Sequence, residues 1–164
     1  MVNEYLLLTA LRDCIVLRNS MNASNISDDI GARRSVDSLL DFLSLQRKYG
    51  LSNMLDLKKS WSAERTVGVM TAINTGREIR VHRVYPIRDW SLSFIDKVNI
   101  GCTDDELLTF IDNHYRLILV TLWQSRVLRS EFITGNGLER FDYIGLRLDS
   151  RFSPVLYGDS VLHH

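Results

Sequence analysis

The sequence predicts a mainly α-helical chain: a bundle of four to five helices, then a C-terminal tail that is irregular or a short β-hairpin. Three observations predict it. Apolar residues recur at helical spacing over most of residues 1–134. At Thr103 a capping side chain and clustered acids open a long periodic stretch. After Gly135 and Gly137 the pattern turns to short alternations with turn residues. Residues 1–134 are therefore assigned to the bundle. Residues 135–164 are assigned to a tail packed on it or on a partner subunit.

The elements follow in order. Leu7, Leu8, Leu11, Cys14, Ile15 and Leu17 approximate a period of 3.6 behind Asn3, an N-cap residue. A polar Asn- and Ser-rich loop follows. Asn25 or Ser27 is expected to start a second helix, with Asp28 and Asp29 favoured by its dipole. Its apolar face runs through Val36, Leu39, Leu40, Phe42 and Leu43, and Gly50 is placed to end it. A third helical stretch runs from near Ser52 through Leu55, Leu57 and Trp61. It restarts after Ser62 through Val67, Met70 and Ile73. From Asp104 to about Arg129 one continuous helix is expected. Leu107, Ile111, His114, Ile118, Thr121 and Ser125 line one of its faces, and Arg126 and Arg129 suit its C-terminal end.

The chain of 164 residues fits one domain and is 45% apolar, which argues against extended disorder. Twenty basic residues balance twenty acidic ones, so a polyanion would have to be held by a local patch rather than a global field. Sixteen of the cations are Arg and four are Lys. Arg offers a planar fork suited to carboxylate and phosphate, in ion pairs within the chain or in recognition. Cys14 and Cys102 lie far apart, in no metal-binding pattern, and read as thiols of a reducing compartment. No signal peptide is recognised, and apolar runs such as Leu117 to Val120 are too short to span a bilayer. A cytoplasmic protein is expected.

There is no Walker-type loop, GxGxxG, GxSxG or HExxH pattern, and no metal or cofactor is implied. The acids at Asp104, Asp105 and Glu106 read as helix capping. His114 reads as a hydrogen-bonded core histidine. Trp61, Trp90 and Trp123 read as core or interface anchors, being scattered without basic interleaving.

The stretch Asn74 to Pro86, NTGREIRVHRVYP, concentrates Arg77, Arg80, His82 and Arg83. It alternates like a strand, yet a helix or an irregular turn also fits. In a strand the odd separation sends Arg77 and His82 to opposite faces. On a helix they lie about 140° apart. An irregular turn or a dimer interface would be needed to bring both to one phosphate.

This Arg-x4-His spacing, ahead of the last long helical stretch in a chain of four or five helices, resembles the motif of HEPN domains. The resemblance covers roughly residues 1–131. It implies a homodimer with the motifs at its interface, and a metal-independent endoribonuclease of toxin–antitoxin or phage-defence type. Arg77 would bind the scissile phosphate and offset charge on its oxygens. His82 would take the ribose 2′-hydroxyl proton or protonate the leaving oxygen. Arg80 and Arg83 would be secondary phosphate contacts. Glu78 stands where the family usually carries Asn, Asp or His, and its carboxylate is expected to offset part of the Arg77 charge. The rival reading is a catalytically inert helical interaction module, an antitoxin or adaptor, whose partner is another protein. Placement discriminates: with His82 in a strand facing away from Arg77, and no second copy completing the pair, the nuclease reading fails.

Overall fold

The computed structural model describes residues 3–27, 31–130, 132–133 and 135–152. Its helices are α1 (Glu4–Ala23), α2 (Ala32–Tyr49), α3 (Val69–Asn74), α4 (Ile87–Asn99), α5 (Asp104–His114), α6 (Leu122–Leu128) and α7 (Glu139–Tyr143), with a 3-10 turn at Met54–Lys59. Two strands, β1 (Ile79–Arg83) and β2 (Leu117–Thr121), complete the set. The chain is thus mainly helical with a small antiparallel sheet. Its contacts gather into two compact units: Met1–Ser52 with Pro86–Tyr115, and Asn53–Tyr85 with Arg116–His164. Among the described residues, no helix is long and apolar enough to cross a membrane.

The first unit is a bundle of α1, α2, α4 and α5. Asn3 caps α1, its side chain accepting from the Tyr5 N–H at 2.9 Å. The stripe Leu8, Leu11 and Ile15 is buried, as are Val36, Leu40 and Leu43 of α2. Gly50 ends α2 at φ 63°, a conformation that favours glycine, and donates to the Gln46 carbonyl at 2.9 Å. Arg47 then grips Asp112 of α5 with two prongs, at 2.8 and 2.7 Å, and Glu4 of α1 at 2.8 Å. At the start of α5, Thr103 and Glu106 form the full capping box. His114 bonds the Phe110 carbonyl through Nδ1 at 2.8 Å and stacks on the Phe110 ring. Cys14 and Cys102 are half-buried free thiols.

Three sequence expectations differ from the structure. The second helix begins at Ala32 rather than near Asn25, which sits in the left-handed region at φ 56°. Asp28 and Asp29 lie outside the described residues. The third helical stretch is only a 3-10 turn and the short α3, because Glu64 and Thr66 leave the helical path to bond Leu119 of β2. The long helix expected from Asp104 to Arg129 ends at His114. Its continuation, Leu117–Thr121, is strand β2, and α6 starts afresh behind a second capping box of Thr121 and Gln124.

The reason lies in the second unit. β2 pairs antiparallel with β1, His82 opposite Ile118 and Arg80 opposite Val120. Leu117, Ile118, Leu119 and Val120 are all fully buried, so β2 is covered on both faces. A strand buried on both faces reads as a continuous apolar run, which periodicity cannot tell from a buried helix. One face carries Val84, Ile118 and Val120, packed with Leu128 and Phe141 and flanked by Leu138, Ile144, Leu146 and Leu148. The 3-10 turn and α3 also pack against the strands. Residues 135–152 belong to this unit. They contribute α7 and an isolated bridge, Leu148 opposite Thr66, so both strands of the sheet come from elsewhere in the chain.

Candidate functional site

Residues 74–83 form the elements that surround the motif. α3 ends in a Schellman turn: Gly76, at φ 65°, donates to the Ile73 carbonyl at 3.1 Å, and Arg77 donates to the Ala72 carbonyl at 2.8 Å. The chain then enters β1 at Ile79. The Glu78 carbonyl accepts from the Leu122 N–H at 3.2 Å, which ties this corner to the start of α6. α6 is held in turn by buried Gln124, whose side chain accepts from the Thr66 hydroxyl at 2.6 Å and donates to the Val67 carbonyl at 3.2 Å.

Between these elements opens a cleft of about 610 Å³. α3 supplies Thr71 and Ala72, the corner supplies Arg77 and Glu78, and α6 supplies Leu122, Trp123 and Arg126. Neither Arg77 nor Arg126 takes part in an ion pair among the described residues. Glu78 does: its carboxylate meets Arg80 at 2.6 Å. Glu78 thus lines the cleft beside Arg77 but makes its ion pair with Arg80. Trp123 is 66% exposed.

The remaining motif residues have other surroundings. Strand alternation puts His82 on the sheet face of Arg80, Ile118 and Val120, where its ring meets the Phe141 ring edge-on at 5.6 Å. Burial, and then the nearby charges of Arg129 and Arg140, push its pKa down to about 4, so the imidazole is neutral at pH 7. His82 is not among the residues lining the cleft that holds Arg77. Arg83 is half-buried on the opposite sheet face. One chain thus supplies an arginine cleft and a neutral imidazole in different settings.

Sequence reasoning missed Trp123 and Arg126. Trp90 is 4% exposed and belongs to the core, but Trp61 and Trp123 are 73% and 66% exposed and do not. The missed signal was the Thr121-x-x-Gln124 capping box, which starts a new helix and puts Trp123 and Arg126 one turn apart on one side of it. Among the described residues, no three His, Cys, Asp or Glu side chains cluster as metal ligands. Compared with known protein families, curated proteins and solved structures, the chain matches none.

One prediction tests how Arg77 is held. A Cβ at Gly76 would touch nothing, so Gly76→Ala should cost only the strain of a left-handed alanine, about 1 kcal/mol in urea unfolding. A loss below ~0.3 kcal/mol would mean that the turn does not need glycine.

Proposed function

We propose that the chain binds RNA, with Arg77 and Arg126 of the cleft engaging its phosphates. The observation that carries this reading is the pair of guanidinium groups lining one cleft with no ion-pair partner among the described residues, while the cleft's Glu78 pairs with Arg80 outside its lining. A local patch of this kind is what a chain of zero net charge needs in order to hold a polyanion. Each lost phosphate contact on a single strand lowers the slope of log affinity against log salt by about 0.7. Arg77→Ala should therefore weaken binding of a labelled RNA roughly tenfold and flatten its salt dependence by that amount. Unchanged affinity and slope would remove Arg77 from the interface.

Metal-independent cleavage, implied by the Arg77–His82 resemblance, is the second reading. The His82 ring is neutral at pH 7 and has an open nitrogen for a 2′-hydroxyl proton, but at a pKa of about 4 it is a weak base unless bound RNA raises it. A phosphate beside it would counter the charges of Arg129 and Arg140 and raise its pKa toward the working range. Because Arg77 and His82 have different surroundings within one chain, this reading calls for a second copy to complete the pair, as a HEPN-type homodimer would. Cleavage of total RNA and tRNA in EDTA, leaving 2′,3′-cyclic phosphate ends, should be lost in both Arg77→Ala and His82→Ala. A well-folded protein that neither binds nor cuts RNA would instead be an interaction module for a protein partner. Growth arrest on expression, relieved by Arg77→Ala, would support the toxin or phage-defence role.

A further inference from the structure

We infer that the cleft takes an unpaired nucleotide, its base stacked on the Trp123 indole and its flanking phosphates on Arg77 and Arg126. This inference rests on the RNA-binding reading above and adds the class of RNA. Trp123 is a large apolar ring left 66% exposed at the wall of a cleft. It stands one helical turn from Arg126, so a planar apolar surface and a permanent cation share one side of α6. Gly68, Thr71 and Ala72, all small, also line the cleft. The volume of about 610 Å³ lies in the range of sites that enclose small organic ligands.

The chemistry selects against other occupants. A wholly apolar ligand would make no use of the two guanidinium groups. A bare phosphate or sulfate would leave the indole unused. A base within a duplex already has both faces stacked and cannot lie on Trp123, whereas an unpaired base can. Among the described residues Glu78 is the one acid lining the cleft, and it pairs with Arg80 at 2.6 Å. Of the two hydroxyl side chains, that of Thr121 is engaged in capping α6. Few groups remain to read base edges, so binding should tolerate sequence.

The experiment uses the full chain and fluorescence anisotropy with labelled twelve-nucleotide RNAs. The probes are a single strand, the matching blunt duplex and the same strand with abasic sites. Wild type should prefer the single strand roughly tenfold over the other two. Trp123→Ala should lose that preference, while Trp123→Phe keeps most of it. Tryptophan fluorescence should be quenched by the intact strand and not by the abasic one. Arg77→Ala should weaken binding to all three probes, which reports on the phosphate contact alone. Equal binding of the three probes by wild type, or a Trp123→Ala variant that still prefers the single strand, overturns the stacking inference and leaves the phosphate reading standing. No binding of any probe by folded wild type overturns both. Trp123 is exposed, so its replacement should leave the thermal melt unchanged.

Discussion

Arg65→Ala should destabilise the second unit by roughly 3–5 kcal/mol. Arg65 is 1% exposed, the largest fully buried side chain among the described residues. Its guanidinium donates to three backbone carbonyls, of Ala63 at 3.0 Å, Ser60 at 3.1 Å and Trp61 at 2.9 Å, and lies 3.9 Å from the Phe152 ring centre. Burial lowers its pKa and the Asp149 carboxylate opposes that; an arginine remains a cation at neutral pH. Around it the Arg65 carbonyl accepts from the Asp149 N–H at 2.8 Å, and Leu119 accepts from the Thr66 N–H at 3.0 Å and donates to the Glu64 carbonyl at 2.9 Å. Alanine would strip the guanidinium from three carbonyls, of which Ser60 keeps the Ala63 N–H, and leave a void against Phe152. Lysine carries its three donors on one nitrogen and lacks the planar fork that spans these carbonyls, so it should recover less than half of the loss. The measurement is urea unfolding of wild type, Arg65→Ala and Arg65→Lys, with hydrogen exchange of the Thr66 and Asp149 amides as a local readout. A loss under ~1 kcal/mol, with those amides still protected, would show that the buried cation contributes little.

The second large effect is a pH dependence set by His82. In the unfolded chain an imidazole titrates near ~6.5; in the fold His82 titrates at about 4. Between those values the unfolded state binds a proton that the folded state refuses. Stability due to His82 is therefore complete above pH ~6.5 and is lost as pH falls through this window. The difference amounts to about 3 kcal/mol between pH 7 and pH 4. Carboxylates titrate in the same range, so the informative quantity is the difference between wild type and His82→Gln, which has no proton to take up. That difference should shrink by about this amount on acidification. An NMR titration placing the His82 imidazole near 6.5 would contradict the buried, cation-flanked setting. A titration that rises when RNA is added would support a phosphate beside it.

Much of the first unit was legible in the sequence, because what specifies it is local. Asn3 before an apolar stripe, Gly50 after Arg47 and Lys48, and Thr103 three residues ahead of Glu106 are capping devices whose partners lie within one turn. Trp90 is buried as a core-forming side chain should be, and His114 is hydrogen-bonded as expected, though only half-buried. The motif was legible as a list of residues but not as a site. Gly76, the residue that ends α3 and aims Arg77, was in plain view beside it.

The sequence by itself determined the mainly helical class, the helix caps and the concentration of arginine, since 3.6-residue periodicity and capping chemistry act over one or two turns. Only the tertiary structure decided that Leu117–Thr121 is a strand. Its hydrogen bonds go to Ile79–Arg83 and to Glu64 and Thr66, far away in sequence, and burial on both faces erased the alternation that would have announced it. The same pairing divided the motif. It put His82 against Phe141 and ended the expected long helix early enough for Thr121 to start α6, which brings Trp123 and Arg126 to Arg77. Side chains that meet through strand pairing have no spacing rule that links them along the chain, so the cleft became visible only once the sheet was formed.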